Sequence, residues 1–279
     1  MKKIIDLHTH SNKSDGTLSP VELAKKAKEA GLSAVALTDH DTNNGVAEFM
    51  AECERLNIEG IPGIEISTNF KRLMHIVGLY PHGDKYEAVV ERLRAARLER
   101  NLKMIEKIHD QFGITGEEIL EGTGAAKESC GRLHMANALV KYGYAETVSD
   151  AFERYLKRGR PCYVEKFSLS PEESVRLIKD CGGIAIWAHP PQAVDTESDM
   201  LDMAQRLKSA GLDAMECMYN NFTPDESELC RSVAKRAGLL ESGGSDFHGS
   251  NKPTVQLGRV SEGDGTVSYE ILEQLKTRI

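Results

Sequence analysis

The sequence predicts an α/β barrel, a ring of largely parallel strands joined by helices, and three observations lead there. Short apolar runs alternate with helix-forming stretches towards both ends of the chain. Near-identical junctions recur at Glu29-Ala30-Gly31-Leu32, Ser209-Ala210-Gly211-Leu212 and Arg236-Ala237-Gly238-Leu239, each with glycine where a helix stops and a strand starts. Six of the nine histidines, His8, His10, His40, His75, His189 and His248, lie in or directly after apolar runs. A barrel gathers the ends of its strands onto one face, which turns scattered side chains into neighbours. The length of 279 residues suits one such barrel, which takes about 250 residues.

The first strand is expected over Ile4 to Leu7 and runs straight into His8 and His10. Residues two apart on a strand share a face, so these imidazoles form a chelating pair. The turn-formers Asn12, Ser14 and Gly16 let Asp15 fold back over the same spot. Ser19-Pro20-Val21-Glu22 is a capping box with proline at the first helical position, and that helix stops at Gly31. A strand at Ala34 to Leu37 ends in Thr38-Asp39-His40-Asp41. A helix from Gly45 to Leu56 then leads to a strand-like stretch, Ile58 to Ser67, carrying Glu65, and to Met74 to Leu79, carrying His75.

From Lys85 to Lys166 the strands cease. Tyr86 to Phe112 reads as one long amphipathic helix with Val89, Leu93, Ala96, Ile105 and Ile108 among its apolar positions. Shorter helices are expected at Glu117 to Leu120, Arg132 to Tyr142 and Asp150 to Leu156. The organisation expected is therefore a barrel with the site, from residues 1–84 and 167–279, interrupted by a helical insertion, 85–166, that stands over it as a substrate-binding lid. Strands resume at Gly183 to Trp187 before His189, at Asp213 to Met218 with Glu216, and at Leu239 to Ser242 before Gly243-Gly244-Ser245-Asp246-Phe247-His248. Ser170-Pro171-Glu172-Glu173 and Thr223-Pro224-Asp225-Glu226 cap the helices between them.

Composition excludes several classes. No apolar run approaches the roughly 18 residues that span a bilayer, and only two apolar residues follow Met1-Lys2-Lys3 before Asp6, so neither a membrane span nor a secretory signal is expected. Six cysteines without any Cys-x-x-Cys fit a reducing cytoplasm. A net charge of −8 argues against a broad surface for duplex nucleic acid, which needs many phosphates neutralised.

The chemistry lies in the strand-end residues. Six histidines with the carboxylates Asp15, Glu65 and Asp246 make a multinuclear metal site the expected outcome of a barrel. Imidazole and carboxylate without a cysteine pair suit Mn²⁺, Fe or Zn²⁺ better than Ca²⁺ or Mg²⁺.

These motifs, Asp6-Leu7-His8-Thr9-His10, Ser14-Asp15-Gly16, Thr38-Asp39-His40-Asp41, Gly63-Ile64-Glu65-Ile66-Ser67, His75-Ile76-Val77-Gly78-Leu79, Ala188-His189-Pro190 and Gly244-Ser245-Asp246-Phe247-His248, resemble those of the PHP (polymerase and histidinol phosphatase) family of metal-dependent phosphoesterases. The resemblance implies a distorted seven-stranded β/α barrel holding three divalent ions, Mn first, with Fe or Zn as alternatives. It places His8, His10, Glu65 and Asp246 on the first ion, Glu65, His75 and His189 on the second, and Asp15, His40 and His248 on the third. The implied reaction is phosphate-ester hydrolysis by a metal-bridging hydroxide, with Glu65 and Asp246 at its centre.

Within the family, the insertion and Gly131-Arg132-Leu133-His134 resemble the branch of 3′,5′-nucleotide bisphosphate phosphatases and 5′-to-3′ exonucleases of short oligonucleotides. Arg132 and His134 are then expected to face the substrate phosphate, His134 also being a candidate proton donor, with Arg160 a further phosphate contact. The expected substrate is a small phosphorylated molecule, a nucleotide bisphosphate. The alternatives are a short oligonucleotide, a cyclic phosphate or a histidinol-phosphate-type monoester. A non-catalytic metal-bearing module fits least, because the ligand set is complete.

Overall fold

The computed structural model of the protein describes residues 3–121, 123, 130–261 and 265–279. In chain order the elements are β1 (Ile4–Asp6), α1 (Pro20–Glu29), β2 (Ala34–Leu37), α2 (Val46–Arg55), β3 (Glu59–Ser67), β4 (His75–Leu79), α3 (Asp84–Phe112), α4 (Gly116–Leu120), α5 (Arg132–Lys141) and α6 (Val148–Ala151). The second half holds α7 (Pro171–Asp180), β5 (Ile184–Ala188), α8 (Glu197–Ala210), β6 (Ala214–Tyr219), α9 (Pro224–Ala237), β7 (Leu240–Gly244), β8 (Val267–Ser268) and α10 (Tyr269–Lys276). The expected capping boxes form: Ser19, Ser170 and Thr223 each accept the N–H of the glutamate three residues on, whose carboxylate reaches back. Each such cap stabilises its helix by about 1 kcal/mol.

The strands form one sheet in the order β7-β6-β5-β4-β3-β2-β1-β8. Its two flanks meet beyond the strand ends. Thr9 bridges Phe247 in parallel, the Asp246 N–H donates to the His8 carbonyl at 2.8 Å, and the His10 N–H donates to the Phe247 carbonyl at 2.9 Å. Glycine is required for this approach, since a Cβ on Gly244 would lie 2.5 Å from the His8 Cβ. The result is a nearly closed barrel, filled by Ile5, Ala36, Ile61, Val77, Ile186 and their neighbours. Outside it, α7, α8 and α9 pack on one flank and α1 and α2 on the other.

Two expectations need correction. The sheet has eight strands, not seven, because Val267–Ser268 adds to β1 antiparallel; a two-residue strand leaves almost no pattern to read. The sheet is also mixed: β4 runs antiparallel to both β3 and β5. Residues 68–74 between β3 and β4 are too few for a parallel crossover, which needs a dozen or more. His75 is therefore the first residue of its strand, and it reaches the same rim as the other candidate ligands because that strand is reversed.

The reversal also sets the path of the insertion. β4 ends at the barrel face opposite the histidines, and α3 climbs back along the outside. Its 29 residues extend about 43 Å at 1.5 Å per residue. Tyr86, Val90 and Leu93 pack on the barrel, Arg97, Arg100 and Asn101 follow at the rim, and Met104 and Ile108 enter a separate apolar cluster with Met135, Leu139 and Leu156. The helix expected over Asp150 to Leu156 is α6 followed by a π-helical turn at Phe152–Leu156, closed by the Lys157 N–H on the Phe152 carbonyl at 2.9 Å.

Candidate metal centre

Glu65, near the end of β3, stands at the middle of the site with five imidazoles around its carboxylate. Its Oε1 lies 2.8 Å from His75 Nδ1, 3.1 Å from His189 Nε2 and 3.3 Å from His8 Nε2. Its Oε2 lies 2.9 Å from His40 Nδ1 and 3.3 Å from His10 Nε2. Asp246 Oδ1 is 3.2 Å from His10 Nε2, 3.4 Å from His248 Nδ1 and 3.6 Å from His8 Nε2. Asp15 Oδ1 is 3.2 Å from His248 Nε2, and its Oδ2 is 3.8 Å from His40 Nε2. All nine residues named as ligands from the sequence thus meet on one rim.

Donor atoms of eight of the nine form three groups within 4.8 Å, namely His10, Asp15, His40 and His248; His8, His10 and Asp246; and His40, Glu65 and His75, while His189 joins through its 3.1 Å approach to Glu65. Four atoms in this cluster, His8 Nε2, His10 Nε2, His40 Nδ1 and Glu65 Oε2, are buried without a hydrogen bond. Buried polar atoms left so close together and unbonded are costly unless a cation satisfies them. With nitrogen and oxygen donors only, the residues fit a site for more than one divalent metal ion.

Electrostatics agree. Burial disfavours ionisation of Asp15, Glu65 and Asp246, yet the surrounding imidazoles, with Lys252 beside Asp246, hold all three well below the usual carboxylate range. Burial drives the His40 imidazole down to about 3. For His10 burial is overcome by hydrogen bonds and charge from Asp246 and Glu65, which lift it to about 9.

The rim is also strained: Asp41, His189 and Asp246 have φ of 55°, 32° and 53°, left-handed conformations that non-glycine residues hold only when their surroundings impose them.

Supporting residues fix the ligands. Glu216 in β6 meets His8 Nδ1 at 2.7 Å and accepts the His189 N–H at 2.7 Å. Tyr219 Oη and Lys252 Nζ donate to Asp246 Oδ2 at 2.6 and 2.5 Å, leaving Oδ1 to the imidazoles. Asp41 pairs with Lys166 at 3.1 Å and Arg97 at 3.3 Å. No role is assigned from the sequence to Glu216, Arg97, Lys166 or Lys252. Glu216, a lone carboxylate inside an apolar strand, was a usable signal; Arg97, Lys166 and Lys252 offered none.

A cavity of about 530 Å³ opens over the centre. One wall is the ligand cluster, and the opposite wall comes from the insertion, with Arg97, Arg132, Leu133, Val148, Ser149 and Phe152. A larger recess of about 790 Å³ around Tyr80, His82 and Arg278 contains none of the nine ligands. Arg132 thus reaches the cavity, its guanidinium carbon 5.8 Å from the Phe152 ring centre. His134 is fully buried and outside the lining, with Nδ1 accepting the Gly131 N–H at 3.0 Å and Nε2 unbonded. Arg160 is exposed beyond the π-helical turn, where its backbone N–H donates to the Lys157 carbonyl, and the fold does not bring it to the cavity. Among the described residues, no helix is long and apolar enough to cross a membrane.

Comparison with known proteins follows the same lines. The PHP domain model matches residues 6–165. A 5′-3′ exoribonuclease of Haemophilus influenzae is 36% identical over 255 residues, spanning 89% of this chain and 91% of the relative. A 3′,5′-nucleoside bisphosphate phosphatase of Chromobacterium violaceum is 32% identical over 281 residues, spanning 99% of this chain and 97% of the relative. The solved structure of an amidohydrolase from Chromobacterium violaceum, with bound sulfate and no metal, has a TM-score of 0.85 at 30% identity over 98% of this chain and 96% of that one. A domain match over more than half the sequence, relatives aligned along nearly their full length and a rim of metal-binding side chains lead to one conclusion: the chain belongs to the PHP family of metal-dependent phosphoesterases.

Proposed function

We propose that the protein is a 5′-to-3′ exonuclease that shortens small 5′-phosphorylated oligoribonucleotides by one nucleoside 5′-monophosphate at a time. The observation that carries this reading is the two-sided cavity. Its acidic and imidazole wall fits metal ions, its cationic and apolar wall carries Arg97, Arg132 and Phe152, and the volume between is about 530 Å³, within the range of small-ligand sites. The 36% identity to an exoribonuclease supports the same choice. Hydrolysis of a 3′,5′-bisphosphonucleotide is the second reading, supported by the phosphatase relative. The two reactions share their chemistry: in each, the bond from phosphorus to the 3′-oxygen of a 5′-phosphorylated nucleotide breaks, and only the group carried by the departing phosphorus differs.

Three ions, manganese first and iron or zinc as alternatives, would be held by His8, His10, Glu65 and Asp246, by Glu65, His75 and His189, and by Asp15, His40 and His248. When bound, such ions neutralise phosphoryl oxygens and lower the pKa of water at the site. The protein's own groups arrange the rest. Glu216 fixes the ring of His8 so that Nε2 faces Glu65 and Asp246. Tyr219 and Lys252 lock Asp246 so that one oxygen stays turned towards His10 and His248. Arg132 offers a planar fork to a phosphate. His134, buried and outside the cavity lining, accepts the Gly131 N–H at Nδ1 and so steadies the start of α5, which carries Arg132.

The test is direct. Metal-loaded protein is incubated with a 5′-phosphorylated oligoribonucleotide and, separately, with a 3′,5′-bisphosphonucleotide. Stepwise release of nucleoside 5′-monophosphate from the oligonucleotide is expected. An intact oligonucleotide together with free phosphate from the bisphosphonucleotide would select the second reading.

A further inference from the structure

Two loops of the metal rim are stapled to each other. The Thr17 N–H donates to the His248 carbonyl at 3.2 Å, and the Ser250 N–H donates to the Thr17 hydroxyl at 3.0 Å. Asn251 adds a third bond, from its Nδ2 to the Asp15 carbonyl at 2.8 Å. A carbonyl can only accept, so the amide nitrogen of Asn251 must face Asp15 and its Oδ1 must face away. There Oδ1 accepts from Nδ2 of Asn137, on α5, at 3.3 Å. Among the described residues, the other side-chain hydrogen bonds of α5 stay within the insertion, His134 to Gly131 and Lys141 to Glu121.

The same helix meets the rim a second time, at its start. A Cβ on Gly131 would lie 3.1 Å from Arg97 Nη2 and 3.5 Å from Asp15 Cβ, so the backbone there rests close against the loop of a candidate ligand. Arg132, the first helical residue, reaches the cavity from that end. Asn137 stands five residues on, about 7.5 Å along the axis at 1.5 Å per residue. Two attachments this far apart fix the tilt of a helix, where one would leave it free to pivot. Met135, Ala136, Ala138 and Leu139 pack instead into the apolar cluster of the insertion, which holds α5 to the insertion but not to the barrel.

Asn251 is thus joined on one side to the Asp15 loop and on the other to the helix that presents Arg132, while its chain neighbour Lys252 holds Asp246. We propose that Asn137 and Asn251 are positioning residues for phosphoester hydrolysis, their hydrogen bond setting the distance and angle at which Arg132 presents a substrate phosphate to the metal rim, a role that rests on the reading above that Arg132 meets that phosphate. Neither amide lines the cavity, so both act through Arg132 and the Asp15 loop and touch no reacting atom. A phosphate held by Arg132 on a tilted helix is still bound, but its phosphorus sits out of line with the rim. The loss therefore falls on kcat and leaves KM nearly unchanged. A misplacement of about 1 Å costs as much as about a hundredfold in rate.

The test is a double-mutant cycle between Asn137 and Arg132 in metal-loaded protein, on whichever of the 5′-phosphorylated oligoribonucleotide and the 3′,5′-bisphosphonucleotide the wild type cleaves. Asn137→Leu removes the bond to the insertion and leaves Asn251 on Asp15, so metal content should match the wild type. Its kcat is expected to fall by about tenfold to a hundredfold, with KM changed by less than about threefold. In an Arg132→Ala background the same substitution should cost less than about twofold, because the group it positions is gone. Asn251→Ala breaks the contact from the other side and should show the same coupling to Arg132; it completes the cycle if Asn137→Leu does not fold.

Normal kcat in both variants, or an equal cost with and without Arg132, overturns the positioning role while a slow Arg132→Ala leaves the reading of Arg132 standing. So does a lowered melting temperature with full activity in the folded fraction, the signature of a bond that only stabilises. An Arg132→Ala enzyme with wild-type kcat/KM removes the reading of Arg132 and the positioning role with it. A wild type that cleaves neither nucleotide removes the nucleotide reading alone, and the same cycle on p-nitrophenyl phosphate then decides: coupling between Asn137 and Arg132 sustains the positioning role, and additivity overturns it.

Discussion

Glu65 concentrates more of the centre on one side chain than any other residue, with five imidazoles within 3.3 Å of its oxygens. Glu65→Gln keeps the shape and removes the charge, so it should release more metal than any single histidine substitution. Metal content by elemental analysis, compared with His75→Ala and His189→Ala, checks this; equal retention would falsify the central role. Glu216 acts one step further out, through His8 and the His189 backbone. Its replacement by Gln should weaken metal affinity by about tenfold to a hundredfold, the usual cost of losing a ligand's orienting partner, with fold and melting of the chelated protein little changed. A competition titration against a chelator measures it. The nine candidate ligands were legible because eight sit in or beside an apolar run and Asp15 lies among turn-formers just after His10. Lys252 and Lys166 were not, since a lysine that reaches inwards looks like any surface lysine until the chain around it is folded.

At the scale of elements, most strand and helix boundaries could be read from capping boxes and junction glycines, which act locally. What could not be read was set by packing. β4 looked like one more parallel strand because its composition is that of its neighbours; only the short connection from β3 betrays the reversal. The inward face of α3 was legible only in part. Of the apolar positions picked out, Leu93 and Ile108 are buried and Val89, Ala96 and Ile105 only half-buried, whereas the buried face also takes Tyr86, Val90, Arg97, Arg100, Asn101 and Met104, whose polar members are invisible to hydropathy.

The same face sets the insertion against the barrel rim, and Arg132 tests what the insertion does there. Arg132→Ala should lower kcat/KM by roughly tenfold to a thousandfold while metal content stays at the wild-type value. A structural role predicts the reverse pattern, a lower melting temperature with full activity in the folded fraction. Steady-state kinetics, melting and metal analysis on one preparation separate the two.

For the whole molecule, the centre is the place where the two flanks of the sheet are joined. Asp246 and His248 follow β7, His8 and His10 follow β1, and the closing hydrogen bonds run between these same residues and Phe247. Ions that bind this rim in the folded state and not in the unfolded chain must therefore stabilise closure. A single ion at a free concentration a hundred times its dissociation constant adds about 2.7 kcal/mol. For a chain of this size each kcal/mol corresponds to roughly 2–4 °C, so full chelation should lower the melting temperature by about 5–10 °C for each ion lost.

The loss should be local in origin. The apolar cluster of Met104, Ile108, Met135 and Leu139 shares no residue with the ligand set, so amides in α5 and the distal half of α3 should keep their hydrogen-exchange protection on chelation. Those around His10, Phe247 and His248 should exchange faster. Uniform acceleration throughout the chain would contradict this division, because metal loss would then be loosening the insertion and the barrel together rather than the seam that the ions close.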